Sequence, residues 1–176
     1  MRDYNLDNAI RKIKDFPKKG ILFYDITSIF TNPEAFNWII DNSYDIFKNE
    51  KIDGIVAIEA RGFVFASSLA YKLKIPLILA RKAGKLPGKT IRQSYSLEYG
   101  EAILEIQEDD IKKEQNILIV DDLIATGGTI KACIDIVEKL GAKVHSILGL
   151  IGLPFLNYQE ILNGYKIKTF INYDNE

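Results

Sequence analysis

The stretch Ile117–Ile130, ILIVDDLIATGGTI, decides the fold. Its first four residues are all apolar, so they read as a strand buried on both faces rather than as an alternating surface strand. Two adjacent carboxylates, Asp121 and Asp122, close that strand. The turn Thr126-Gly127-Gly128-Thr129 then leads into a helix predicted over 129–140, where Ile130, Cys133, Ile134, Val137 and Leu140 keep one apolar stripe. Gly141 stops the helix, and residues 144–151 (VHSILGLI) form the next apolar run.

The same order occurs upstream. Residues 55–58 (IVAI) read as a buried strand, EARG as a turn, 62–73 as a helix and 76–80 (PLILA) as a second strand. Two such strand–helix–strand units predict an α/β fold, a parallel β-sheet flanked by helices on both faces. At the N-terminus, Leu6, Ala9, Ile10 and Ile13 have helical spacing, which predicts a short helix over 5–14 before Pro17. FPKKGILFYDITSIF reads as loop with short extended pieces. Asn32-Pro33 is a cap and first-turn proline that opens a helix running to about residue 48.

Residues 81–94 (RKAGKLPGKTIRQS) have neither period, two glycines and five cationic side chains. A segment of this kind inside a compact domain is usually a lid or binding loop. YSLEYGEAILEIQ alternates around Gly100 like a two-stranded ribbon, with Glu101 and Glu105 read as exposed. Segments 15–30 and 152–176 fit neither unit and are expected to pack together as a small hood. The chain, 1–176, thus reads as a single domain with a hood and a lid at about 81–98.

Composition excludes several classes. The formal net charge of −1 gives no global attraction to nucleic acid or anionic lipid. One cysteine, Cys133, cannot build a disulfide framework, and one His with one Cys makes a structural zinc site improbable. The first residues lack the apolar run of a signal peptide, and no run is long enough to span a membrane. A cytoplasmic protein is the expectation.

Ligands in open α/β sheets bind beyond the carboxyl ends of the strands. There Ala125, Thr126, Gly127, Gly128 and Thr129 can aim backbone N–H groups and two hydroxyls at one point, with the helix dipole adding partial positive charge. This is a cradle for a single phosphate. It is not a Walker A loop, since no Gly-Lys-Ser/Thr ending follows. Asp121 and Asp122 are paired acceptors just before the cradle, suited to the vicinal hydroxyls of a ribose 5-phosphate. Each residue alone could be an ordinary strand end or turn; the ordered combination is what points to a phosphate.

VDDLIATGGT resembles the phosphoribosyl-pyrophosphate (PRPP) binding motif of the type I phosphoribosyltransferases. FPKKGILFYDIT, EARGF at 59–63, RKAGKLPG at 81–88 and SYSLEYG at 94–100 support the resemblance, and the first and last of these narrow it to members that act on adenine. It implies the type I phosphoribosyltransferase fold with a hood and a flexible catalytic loop. It further implies transfer of the 5-phosphoribosyl group from PRPP to adenine, forming AMP and pyrophosphate, a reaction of purine salvage. Mg²⁺ is implied as a cofactor carried by PRPP rather than by protein side chains, and a homodimer is implied as the assembly.

By the same resemblance Glu98 and Tyr99 are catalytic. Ala60, Arg61, Arg81, Lys82 and Lys85 bind pyrophosphate, and the Ala60-Arg61-Gly62 turn is where the family often holds a non-proline cis peptide. Leu22, Phe23, Arg61 and Leu153 bind adenine. Lys19 and Gly152 depart from the family pattern, which bears on the base pocket and not on the reaction class. Two other readings fit less of the chain: a nucleotide- or PRPP-sensing regulator, which would carry an added nucleic-acid-binding element, and a receiver-like domain, whose acidic pair would follow the first strand without the Thr-Gly-Gly-Thr turn.

Overall fold

The structure, a computed structural model, describes residues 4–96 and 100–174. After a 3-10 turn at Leu6–Ala9, β1 (Arg11–Lys14) and β2 (Leu22–Asp25) form a separate antiparallel pair. Two helices follow, α1 (Thr27–Phe30) and α2 (Pro33–Phe47). The rest runs β3 (Gly54–Ile58), α3 (Gly62–Leu73), β4 (Leu77–Lys82), β5 (Thr90–Ser96), β6 (Glu101–Gln107), β7 (Asn116–Ile124), α4 (Gly128–Lys139), β8 (Lys143–Gly152), α5 (Tyr158–Ile161) and β9 (Ile167–Asn172). The main sheet has seven strands in the order β5-β6-β4-β3-β7-β8-β9. β4, β3, β7, β8 and β9 are parallel, while β6 is antiparallel to both β4 and β5.

Alternation along the central strands explains why both faces are covered. Val56 and Ile58 of β3, with Ile117 and Ile119 of β7, pack in one cluster with Ile130, Cys133 and Val137 of α4. Their neighbours Ile55, Ala57, Leu118 and Val120 point the other way and pack with Ala66, Leu69 and Ala70 of α3. Such strands have no polar face, which is why they read as unbroken apolar runs. α2 starts as expected: the Asn32 side chain accepts the Ala35 N–H at 3.1 Å and Pro33 occupies the first turn. Among the described residues no helix is long and apolar enough to cross a membrane.

Four expectations need correction. Residues 5–14 are not one helix, because Ile10 turns extended and Arg11–Lys14 pairs with β2, fixed by the Arg11–Asp25 ion pair at 2.6 Å. The unpatterned segment 81–94 contains the end of β4 and the start of β5, so the connecting loop spans only 83–89. Residues 167–172, grouped with the hood by their sequence, form the parallel edge strand β9. Finally, β7 does not end at Val120: it continues through both aspartates to Ile124, paired along β8 by Asp121↔Gly149 and Leu123↔Ile151.

The terminal segments meet at the rings. Tyr24 stacks on Tyr173 at 3.9 Å, and Leu6, Tyr24, Ile26 and Leu153 share one cluster flanked by Leu156 and Phe170.

Candidate active site

The carboxyl ends of β3, β4 and β7 lie side by side, and the candidate residues gather there. At β7, a small cavity of about 70 Å³ is lined by Asp121 and Leu123–Ile130, which includes the whole predicted cradle from Ala125 to Thr129. Gly127 sits at φ +85°, a left-handed conformation that glycine adopts without strain. From it α4 begins at Gly128, so the first-turn N–H groups, which have no partners inside the helix, face this cavity.

A second cavity of about 250 Å³ adjoins the first. Its walls are Ile21–Tyr24, Arg61, Leu123, Ala125, Leu153, Phe155 and Leu156. Leu123 and Ala125 line both cavities, so the anion cradle opens into an apolar slot. Leu22, Phe23, Arg61 and Leu153 all meet there. Phe16 packs edge-on against Phe23, with ring centroids 5.0 Å apart, and holds that ring from outside. Leu123, Phe155 and Leu156 line the slot as well, and their apolar character is indistinguishable from core residues until the chain is folded.

The two aspartates are buried and differently engaged. Asp122 accepts the Arg61 Nε–H at 2.5 Å, while Asp121 lines the cradle and accepts the Asp122 backbone N–H at 2.9 Å. Burial, and next the charge of Asp122, hold the Asp121 carboxyl well above the usual carboxylate range, against the pull of Arg61. Cys133, on α4 behind it, is buried, and that burial pushes its thiol up so that it stays protonated and inert.

At the end of β3, Glu59–Ala60 is a non-proline cis peptide, in the turn where the resemblance placed one. The next glycine, Gly62, is packed hard against β7: a Cβ there would lie 3.1 Å from the Val120 carbonyl oxygen and 3.2 Å from the Asp121 Cα. Only glycine lets α3 begin this close to the aspartates.

The lid cations gather on a residue that carried no assignment in the sequence reading, Glu59. Its carboxylate accepts Arg81 Nε–H at 3.0 Å, the Lys82 backbone N–H at 3.1 Å and the Lys85 ammonium. Burial raises the Glu59 carboxyl, but the Lys85 hydrogen bond, the Lys82 N–H and Arg81 together outweigh it and leave the group below its ordinary range. Arg81 and Lys85 are thus together, while Lys82 is exposed and joins through its backbone. The signal for Glu59 was present: it directly precedes the Ala60-Arg61-Gly62 turn.

Glu105, read as exposed, is fully buried. It takes two backbone N–H groups from the lid and two side-chain donors, so its burial is satisfied. Glu98 and Tyr99 lie outside the described residues.

Comparison with known proteins agrees with this geometry. The phosphoribosyl transferase domain model matches residues 25–151. The chain is 54% identical over 176 residues to adenine phosphoribosyltransferase of Treponema denticola, covering 100% of this chain and 93% of that protein. The crystal structure of adenine phosphoribosyltransferase from Thermoanaerobacter pseudethanolicus superposes with a TM-score of 0.91 at 46% identity, covering 96% of this chain and 98% of that one. That of Saccharomyces cerevisiae, complexed with an imino-altritol bisphosphate and adenine, superposes with a TM-score of 0.88 at 40% identity, covering 93% and 95%.

Proposed function

This chain belongs to the phosphoribosyltransferase family, and within it to the adenine phosphoribosyltransferases; we propose that it transfers the 5-phosphoribosyl group of PRPP to adenine, forming AMP and pyrophosphate. The observation that carries the reading is the junction at Leu123 and Ala125, where a phosphate-sized cradle meets a slot walled by Phe23 and Leu153. A nucleoside monophosphate has that shape: an anion at one end and a flat ring at the other.

In this reading Ala125–Thr129 bind the 5′-phosphate through backbone N–H groups and hydroxyls at the start of α4. Asp121 and Asp122 accept from the ribose hydroxyls. Phe23 and Leu153 sandwich adenine, with Leu22 offering its backbone to the base edge and Arg61 closing the slot. Ala60, Arg61, Arg81, Lys82 and Lys85 receive the pyrophosphate, whose departure concentrates negative charge where cations and N–H groups stand ready. As adenine N9 approaches C1, the C1–O bond to pyrophosphate breaks and positive charge builds on the sugar. Glu98 stabilises that charge or accepts the N9 proton, and Tyr99 shields the site from water.

Mg²⁺ fits the donor set as a cation that arrives on PRPP. Asp121 and Asp122 are hard oxygen donors beside the ribose position, and among the described residues no group of three or more His, Cys, Asp or Glu side chains forms a cage. When bound it neutralises the leaving pyrophosphate. The reading includes a homodimer, supported by the open surface hollow that the 87% exposed Tyr71 lines together with Ile75 and the exposed Leu77. It also includes a cytoplasmic setting, supported by the unpaired, buried Cys133.

Turnover with adenine, PRPP and Mg²⁺, with guanine, hypoxanthine and xanthine as controls, tests the assignment. AMP formation from adenine far above the other bases is expected. Rapid use of another base and none of adenine overturns the adenine assignment.

A further inference from the structure

Building on that reading, we infer that Glu105 is a positioning residue for the pyrophosphate end of the site, acting through Lys85. Glu105 lies in the middle of β6, paired with Arg81 on β4 and with Arg92 on β5, and is 0% exposed. One carboxylate oxygen accepts the backbone N–H groups of Lys85 at 3.0 Å and Leu86 at 3.1 Å. The other accepts Arg92 Nε–H at 3.0 Å and the Thr90 hydroxyl at 3.2 Å. A single side chain therefore ties the middle of the 83–89 loop and the start of β5 to one point on β6.

Lys85 is held at three points. Its N–H donates to Glu105, its carbonyl accepts from Arg81 Nη1 at 3.4 Å, and its ammonium reaches Glu59. With the backbone of residue 85 anchored, the ammonium arrives beside the cis Glu59–Ala60 turn with little freedom left to lose on binding an anion. Pre-organisation of this kind raises affinity by lowering the ordering cost. Only a carboxylate serves here, since four donors converge and an amide would turn its own N–H₂ group toward two of them.

The test is a double-mutant cycle of Glu105→Gln and Lys85→Ala, read by calorimetric titration with pyrophosphate plus Mg²⁺ and, separately, with AMP. Glu105→Gln is expected to weaken pyrophosphate about tenfold and AMP less than twofold, and KM for PRPP is expected to rise with KM for adenine unchanged. On the Lys85→Ala background the same substitution should cost little further pyrophosphate affinity. A merely structural role would lower Tm while moving both ligands alike, or neither, and would overturn the inference; so would full additivity in the cycle. Should Glu105→Gln fail to fold, Thr90→Val with Arg92→Gln removes the two exposed-side donors instead and is expected to weaken pyrophosphate selectively, by about threefold; equal effects on AMP overturn the inference. Wild-type protein that binds pyrophosphate but makes no AMP defeats the functional reading alone, and wild-type protein that binds no pyrophosphate defeats both.

Discussion

In the proposed reading the two ends of the site recognise anions by opposite means. The cradle after β7 comes from one short stretch of chain, 121–130, and works through backbone N–H groups, a helix start and hydroxyls, with no lysine in its lining. The proposed pyrophosphate end draws on Glu59, Arg81, Lys85 and Glu105, which are spread over two strands, the turn after β3 and a loop. Its cations are already paired with carboxylates of the protein. A backbone cradle is rigid and selective for one phosphate in one pose. Paired side chains can exchange an internal carboxylate for a ligand and release it again, which suits a group that must leave.

Substitutions can break this contrast in decreasing steps. Gly127→Val should be the most damaging. It forces a β-branched residue into φ +85° and places a Cβ 3.3 Å from Tyr158 and Leu162, misaiming the cradle N–H groups. Losing two such charge-assisted bonds corresponds to about 3 kcal/mol, or roughly 100-fold in AMP affinity by titration. Retained affinity would mean that the phosphate sits elsewhere.

Lys85→Ala should reduce pyrophosphate affinity by about tenfold, since the ammonium is half exposed and screened, and should leave AMP unchanged. Raising salt should weaken pyrophosphate more steeply than AMP in the wild type, and this difference should narrow in the variant. Equal salt slopes would erase the distinction between the two ends. Phe23→Ala removes one face of the slot and should raise KM for adenine by roughly five- to tenfold, matching about 1 kcal/mol of ring stacking, with KM for PRPP unaffected.

The smallest effect concerns stability. Because the Asp121 carboxyl is raised on folding, the native state keeps a proton that the unfolded chain has released, and stability falls as pH climbs from 3.8 to the folded value. Asn cannot ionise. Asp121→Asn should therefore match the wild type in Tm at low pH and exceed it near neutrality, with ribose binding lost. Thermal melts across the pH range check this; a constant offset would contradict it.

The same contrast explains what could be read before folding. The βαβ units and the cradle were legible because their signals are local: an apolar run, paired acids, a glycine turn and a helical stripe within about thirty residues. β1 differs from its sequence pattern because Leu6 and Ile10, both buried, do satisfy a helical spacing, and only pairing with β2 beyond the intervening turn decides against it. Glu105 was misread for a sharper reason. Strand alternation puts it on the same face as Glu101 and Ile103, both of which are exposed, and it is covered only because the 83–89 loop folds over that end of the ribbon. Glu59 shows the converse: its neighbours carried the motif, while its own part depends on cations from β4 and the loop.

Gly62 has one more consequence. With α3 starting in van der Waals contact with Val120 and Asp121, the gap between the β3 turn and the β7 acids is fixed by main chain and cannot relax by a rotamer change. In the proposed reading the two loops would work as a caliper, with the span between a sugar's first carbon and its terminal phosphate set by backbone. A longer sugar would then be refused on length, whatever base accompanied it.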